Sequence, residues 1–309
     1  MFARLAFVVA LLFSTAAGAQ IRVGLMVSAT GPTTAIGIPQ KNTGELLPRQ
    51  VGDATIEYVQ LDDGGDTTRA VQNVKKLIQE HNIDALIGPS TTPNALAILD
   101  FIAEAKVPLL ATVGTSSVVE PMDAKRRWVF KTTQNDDLIA AALVKHMVRS
   151  GVKTFGFVGF KDPYGENWYK VFTPMAEKAG IRLVATEYYQ RTDTSVTGQA
   201  LKLLAARPDA VLVAGVGGPA VLPQVTLREQ GYKGTIYQTH GVATDDFIRL
   251  GKDKVEGTVL AAGPMLVIDE IPDTNPIRKV ATGIARCRMR PESQVFAPKV
   301  AGFCPNCFS

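Results

Sequence analysis

Short apolar runs alternate with amphipathic stretches along most of this chain. The runs Ile21–Ser28, Ala85–Gly88 and Val107–Ala111 are bounded by Gly, Pro, Ser or Thr, a pattern that predicts strands. Between them, apolar side chains recur with helical spacing over 70–78 and over Pro93–Ala105, which predicts amphipathic helices. Because parallel strands joined by crossover helices satisfy this alternation most simply, the pattern predicts an α/β sheet.

The same alternation begins again after a segment rich in Thr, Ser and Gly at 112–127. Near-continuous apolar runs such as Thr154–Gly159 and Ala210–Gly215 predict strands that are covered on both faces. We therefore expect two doubly wound, Rossmann-like α/β lobes of similar size, joined by a hinge around 132–136. The other predicted strands are Thr55–Asp62, Trp128–Thr132, Arg182–Tyr189 and Thr235–Thr239, and further helices are predicted at about 136–150, 165–179, 196–206 and 218–231.

The first 19 residues have the pattern of a secretory signal peptide. Arg4 precedes the apolar run Leu5–Phe13, and small residues follow up to Ala17-Gly18-Ala19, as they do before a cleavage site. A buried strand or helix is the alternative, whereas a membrane anchor is disfavoured because a span needs about 20 apolar residues. We expect an exported protein whose mature part does not insert into a membrane.

The excess of positive charge lies near the C-terminal end of the chain. The formal net charge is +4, but residues 20–277 hold 26 Lys and Arg against 28 Asp and Glu, a net charge of −2. The body therefore has no basic excess to attract nucleic acid, and its apolar content is too high for a disordered chain. The expected organisation is a signal peptide at 1–19, a first lobe at 20–132, a second lobe at 133–262, a return segment towards the first lobe at 263–277, and an irregular basic tail at 278–309.

All three cysteines, Cys287, Cys304 and Cys307, lie in that tail. The Cys304-Pro-Asn-Cys307 spacing is compatible with a redox pair or with half of a zinc site. A zinc site needs four ligands, and the tail supplies only one more Cys and no His. An incidental or disulfide-linked pair is the favoured interpretation, and no cofactor or metal is expected.

Loops that follow the predicted strands are the candidate ligand-binding segments, because ligands of open parallel sheets bind at the carboxyl ends of the strands. Ser90, Thr91 and Thr115 supply hydroxyls there, and the start of a helix next to them favours an anion. Helix capping alone is the alternative. In the second lobe, Tyr164 and His240 also follow strands. A surface tyrosine packed on its own loop is the alternative for Tyr164, and a lone histidine such as His240 is more often a structural residue.

The sequence offers few groups for catalysis. It contains no phosphate-binding loop, nucleophile elbow or zinc-protease motif. Asp62 and Asp63 end a predicted strand and could bind a cation, but a pair in this position more often caps the next helix. An enzyme that uses Asp62, Asp63 and His240 is a minor alternative.

Seven segments taken together resemble the periplasmic substrate-binding proteins of branched-chain amino acid ABC transporters, the leucine/isoleucine/valine-binding type. They run in the order of that family over about residues 21–275: IRVGLMVSATGP, EYVQLDDGGDTTRAVQNVKKLI, ALIGPSTTPNALAI, VPLLATVGTSS, VGFKDPYGENW, ARPDAVLVAGVGGPA and LREQGYKGTIYQTHG. The resemblance implies two lobes that close on a small ligand, a periplasmic location and an ABC permease in the inner membrane as partner.

The resemblance also implies roles for single residues. Ser90 matches a serine whose hydroxyl binds the ligand carboxylate, and Val113 a position whose backbone contacts the ligand. Thr115 matches a threonine that binds both the carboxylate and the amino group, and Tyr164 the aromatic residue that covers the ligand.

The chain departs from the family pattern in two respects. His240 stands where the amino acid binders place a glutamate for the ligand ammonium, which disfavours an α-amino acid. The expected ligand is an amino acid-like molecule or another small carboxylate or amide. After about Ile277 the resemblance fades, and the C-terminal part of the first lobe is expected to be incomplete. A secreted ligand-sensing domain for a signalling partner and a truncated, non-functional copy are the alternatives.

Overall fold

The computed structural model describes residues 20–279 and residue 282. Eleven strands lie in these ranges: β1 (Gln20–Val27), β2 (Gln50–Val51), β3 (Ala54–Asp62), β4 (Ala85–Ile87), β5 (Leu109–Ala111), β6 (Val129–Lys131), β7 (Thr154–Phe160), β8 (Arg182–Tyr189), β9 (Ala210–Ala214), β10 (Thr235–Gln238) and β11 (Val259–Leu260). The α-helices are α1 (Thr34–Glu45), α2 (Thr67–Gln79), α3 (Thr92–Ala105), α4 (Asp136–Arg149), α5 (Pro163–Lys178), α6 (Thr197–Ala205), α7 (Val221–Glu229) and α8 (Asp245–Gly251).

The strands form two separate sheets. The first has the order β2-β3-β1-β4-β5-β6 and the second the order β11-β10-β9-β7-β8. Every pairing is parallel except that of β2 with β3. We call β1–β6 with α1–α3 the first lobe, and β7–β11 with α4–α8 the second lobe. The two doubly wound α/β lobes expected from the alternation are thus confirmed.

Each sheet has its own core. Leu86, Ile98 and Leu109 are fully buried in the first lobe, where α2 and α3 pack on the sheet. In the second lobe the strands β7 and β9 are buried along almost their whole length, together with the side chains of α4 and α5. Burial on both faces explains why these strands are near-continuous apolar runs.

Two helices do not follow from the apolar pattern. α1 contains Pro39 and two glycines, which have low intrinsic helix propensity, and α8 spans only seven residues. Gly37 of α1 has a packing role, because a Cβ at this position would lie 1.9 Å from the carbonyl oxygen of Ser28. α1 thus packs directly against the loop that follows β1.

Several expectations lie outside what the structure describes. The signal peptide at 1–19 and the three cysteines fall outside the described residues. β6 pairs in the first sheet and β11 in the second, but the lobe boundaries and the return segment stay predictions. In the described part of the chain, no helix combines the length and apolar character needed to cross a membrane.

Candidate functional site

The loops that could bind a ligand lie where the strand order reverses. β1 lies between β3 and β4 in the first sheet, and β7 lies between β8 and β9 in the second. The connections that run from such a central strand and from its neighbour therefore lie on opposite faces of the sheet. This arrangement leaves a crevice at the carboxyl ends of the strands. The loops after β1, β4, β5, β7, β9 and β10 are therefore the candidate ligand-binding segments.

Ser90 holds the loops of the first lobe together. Its hydroxyl accepts a hydrogen bond from the Ser28 N–H at 2.9 Å and donates to Oε1 of Gln40. Gln40 in turn donates from Nε2 to the Thr112 hydroxyl at 3.2 Å. The loops after β1, β4 and β5 are thus joined through one glutamine of α1, and the role of Ser90 as a ligand contact stays a prediction.

The other predicted residues of the first lobe are buried near these loops. Thr91 is the N-terminal capping residue of α3, but its side chain makes no capping bond and its hydroxyl has no partner. The Thr115 hydroxyl pairs with that of Ser117 at 2.7 Å. The carbonyl of Val113 accepts from the Thr133 hydroxyl at 2.6 Å. Their roles as ligand contacts stay predictions.

Asp62 and Asp63 have a structural role in the same region. Asp62 accepts hydrogen bonds from the N–H groups of Ala29 and Gly64 and from the Thr30 hydroxyl. Burial raises the pKa of Asp62, but these hydrogen bonds lower it by more, so the pKa lies below its usual value. Asp63 is buried, which raises its pKa, and it accepts from the Ser28 hydroxyl at 2.6 Å. Among the described residues, no group of three or more His, Cys, Asp or Glu is placed to hold a metal ion.

The two lobes meet at Gly114, in the loop after β5. Its carbonyl accepts from the Asp136 N–H at 3.0 Å, at the start of α4. A Cβ at Gly114 would lie 2.4 Å from Asp136 Oδ1 and 2.7 Å from His240 Nε2. A second contact places Gly217 of the second lobe beside Ala35 of the first, because a Cβ there would lie 3.4 Å from that of Ala35. The carboxyl-end edges of the two sheets therefore face each other at close range.

Asp136 and His240 form the polar centre of this contact. Asp136 is fully buried, accepts from Asn167 Nδ2 at 2.7 Å on one oxygen, and has no hydrogen-bond partner on Oδ1. That oxygen lies 3.9 Å from His240 Nε2. Burial raises the pKa of Asp136 to about 7, although the Lys131 ammonium opposes this. Burial, with the Lys131 charge, lowers the pKa of His240 to about 4, so the imidazole is neutral at pH 7.

Tyr164 lies beneath this centre in the second lobe. It sits in the first turn of α5 and is buried, and its hydroxyl pairs with the Thr239 hydroxyl at 2.8 Å. Burial and the Asp136 charge raise the pKa of Tyr164. The fully buried Trp168 connects the two groups, since its ring centroid is 6.4 Å from that of Tyr164 and 6.0 Å from that of His240. Whether Tyr164 covers a ligand stays a prediction.

Sequence reasoning missed Asp136, Gln40 and Gly114 as site residues. The sequence pattern marks Asp136 only as the start of a helix, although it is the first of two acidic residues at the end of the predicted hinge. This position in the sequence could have identified Asp136 as a site residue. Gln40 lies in the helix that the apolar pattern does not predict, so no signal was available for it.

The opposite pKa shifts predict opposite pH dependences of stability. The pKa of His240 is lowered from 6.5 to about 4, so its contribution to stability is lost as pH falls from 6.5 to 4. The pKa of Asp136 is raised from 3.8 to about 7, so its contribution is lost as pH rises through this range. Each site changes the unfolding free energy by at most about 1.4 kcal/mol per pH unit.

We expect the two contributions to cancel in part between pH 4.5 and 6.5, and Asp136→Asn to unmask that of His240. Urea unfolding of this variant should then show stability rising with pH more steeply than in the wild type. His240→Gln should show the reverse slope. An unchanged profile in both variants would contradict the assigned shifts.

Comparisons with known proteins agree with this architecture. The sequence profile described as periplasmic binding protein matches residues 20–278. The Leu/Ile/Val-binding protein BraC3 of Rhizobium johnstonii is 24% identical over 259 residues, which cover 82% of this chain and 70% of the relative.

Solved structures are similar as well. An extracellular ligand-binding receptor from Rhodopseudomonas palustris is 46% identical with a TM-score of 0.85, over 87% of this chain and 74% of that chain. A more distant likeness, of the fold alone, is to a solute binding protein of an ABC transporter from the same organism in complex with p-hydroxybenzoic acid, at 20% identity and a TM-score of 0.69, over 75% of this chain and 65% of that one. The resemblance found in the sequence is thus confirmed, and the chain belongs to the periplasmic binding protein family.

Proposed function

We propose that this protein is a periplasmic receptor that captures a small ligand bearing a carboxylate or amide group between its two lobes. It delivers this ligand to an ABC permease in the inner membrane and does not alter it chemically. The observation that carries the proposal is the lobe contact at Gly114, where the buried oxygen Oδ1 of Asp136 has no hydrogen-bond partner; the neighbouring His240 likewise has no partner on its buried Nδ1.

Unpartnered polar atoms support a ligand at this contact. Asp136 Oδ1 and His240 Nδ1 are buried without hydrogen bonds, and each such group costs about 1–3 kcal/mol unless something satisfies it. A ligand N–H or O–H would satisfy the Asp136 oxygen. Both groups belong to the second lobe and lie against Gly114 of the first lobe, so a ligand that contacts them and the first lobe together also favours the closed form.

Asp136 also changes the expectation about the ligand ammonium. His240 stands where the branched-chain amino acid binders have a glutamate, and the absence of that carboxylate disfavours an α-amino acid as ligand. In the structure, however, the Asp136 carboxylate lies 3.9 Å from His240 Nε2 and supplies a negative charge beside that position. A bound ammonium would lower the pKa of Asp136 from about 7 and ionise it. An amino acid-like ligand therefore fits this site.

The ligand class is tested by isothermal titration with a defined panel. Leucine, isoleucine and valine are included because the curated relative is named for them. Benzoate and p-hydroxybenzoate are included because the distant fold relative is in complex with p-hydroxybenzoic acid, together with aliphatic acids and amides. Absence of binding by folded protein across the panel would overturn the proposed function.

Asp136→Asn is expected to weaken ligands that carry an ammonium by 10- to 100-fold, the effect of losing a buried charged hydrogen bond. Ligands without an ammonium should change less than threefold, because Asn keeps the shape and the contact to Asn167. Asp253→Asn, whose side chain is 70% exposed, is the matched control and should bind as the wild type does. Equal loss for both ligand classes would show that Asp136 acts only on folding or closure.

A further inference from the structure

We propose that Arg191 forms a second binding point in the same cleft and binds a carboxylate group of the ligand. This inference rests on the proposed function and adds the requirement of an anionic group on the second-lobe side of the ligand. No motif in the sequence singles out Arg191; its position and its unpartnered N–H groups point to this role.

The position of Arg191 places it on the edge of the sheet that faces the first lobe. It follows Tyr189, the last residue of β8, and all strands of the second sheet are parallel. Its loop therefore lies on the same edge as His240, which follows β10. Three strand spacings separate β8 from β10, about 14 Å in a regular sheet. Arg191 thus lies on the opposite side of the cleft edge from His240.

Side-chain contacts hold the guanidinium in one orientation. Its Nε donates to Asp162 Oδ2 at 2.6 Å, and its central carbon lies 4.2 Å from the centroid of the Phe160 ring. The Asp162 Oδ1 atom accepts from the N–H groups of Tyr164 at 2.8 Å and Gly165 at 3.3 Å. The carboxylate that anchors Arg191 is therefore itself fixed by the first turn of α5.

The two terminal nitrogens of Arg191 are left free by these contacts. Nη1 and Nη2 are buried and have no hydrogen-bond partner, while the whole side chain is only 15% exposed. A guanidinium cannot lose its charge at neutral pH, so its N–H groups need an acceptor. The charge of Asp162 is shared between Arg191 and the start of α5, which leaves part of the positive charge uncompensated.

A carboxylate is the group that best fits this geometry. The two terminal nitrogens of a guanidinium present N–H donors at the spacing of two carboxylate oxygens, and the pair is stronger than a neutral hydrogen bond. An uncharged amide in the same place offers one acceptor oxygen, and its NH₂ group would face the N–H donors of Arg191. Arg191 therefore selects for a carboxylate over the corresponding amide.

The experiment compares ligands that differ only in this group. The probes are three pairs titrated calorimetrically: glutarate and glutaramate, L-glutamate and L-glutamine, and terephthalate and 4-carbamoylbenzoate. The wild-type protein should bind the dicarboxylate member of at least one pair 10-fold or more tightly than its amide. Arg191→Gln should abolish this preference while the amide changes less than threefold, and Arg191→Lys should keep part of it.

Controls separate recognition from folding. Arg249→Gln removes a side chain that is 66% exposed and should leave both members of each pair unchanged. Melting temperatures identify any variant that is not folded, and Arg191→Lys then serves in place of Arg191→Gln. If the wild type binds an amide member as well as its acid, or Arg191→Gln weakens both equally, Arg191 is structural and the proposal is wrong while the proposed function stands. If no probe and no panel member binds, the proposed function fails as well.

Discussion

Gly114→Ala is expected to lower ligand affinity at least 100-fold while the free energy of unfolding changes by less than about 1 kcal/mol. The added methyl would lie 2.4 Å from Asp136 Oδ1 and 2.7 Å from His240 Nε2, far inside contact distance. Gly114 belongs to the first lobe and both clashing groups to the second. Opening of the lobes therefore relieves the overlap, whereas a clash inside one core cannot be relieved without distortion.

Two measurements test this expectation. Titration calorimetry with the tightest ligand of the panel gives the affinity, and small-angle scattering with and without ligand reports whether the lobes close. Gly198→Ala is the matched control, because a Cβ at Gly198 would have no atom within 4 Å. Wild-type affinity and ligand-induced compaction in Gly114→Ala would show that the lobe contact at Gly114 has no part in binding.

The fold could be predicted from the sequence because buried parallel strands leave a strong apolar signal. β7 and β9, for example, are covered on both faces, and their sequences are almost without polar residues. α1 could not be predicted in the same way. It contains Pro39 and two glycines, of which Gly37 packs closely against the loop after β1 and Gly44 against Leu25 of β1; this close packing overrides helix propensity.

The candidate site was predicted only in part. Strand-end loops are recognisable from the strands before them, so Ser90, Thr115, Tyr164 and His240 could be selected. Which partner each hydroxyl takes depends on elements distant in sequence, as with Gln40 and Ser90, which are 50 residues apart. Arg191 shows the same limit, because its importance lies in two nitrogens that remain without a partner after the chain has folded.

His240 stands where this chain departs from the pattern of the branched-chain amino acid binders. On its own, the missing glutamate removes a charge for a ligand ammonium. The structure places the Asp136 carboxylate beside it, and burial of His240 keeps the imidazole neutral. A neutral histidine next to a carboxylate gives the pair one negative charge at most, so under the proposed function the binding of an ammonium depends on Asp136.

Trp168→Ala is expected to lower the free energy of unfolding by about 3–5 kcal/mol, the range for deletion of a large buried aromatic side chain. Trp168 is fully buried in α5 and packs between the rings of Tyr164 and His240. Trp168→Phe keeps an aromatic ring against both neighbours and leaves a smaller cavity, so its cost should be about 1–2 kcal/mol. Urea unfolding followed by circular dichroism measures both values.

The same pair of variants separates stability from binding. The Trp168 ring supports two groups of the candidate site, so the cavity in Trp168→Ala should also loosen His240 and weaken ligand binding about 10-fold, whereas Trp168→Phe should bind within threefold of the wild type. Leu201→Ala is the control, because it shortens an apolar side chain that lies on a surface helix and is 51% exposed. It should lower the free energy of unfolding by less than about 1 kcal/mol. Trp168→Ala could instead lose the predicted stability and still bind ligand like the wild type. In that case His240 and Tyr164 do not contact the ligand, and the site assigned to the second lobe is wrong.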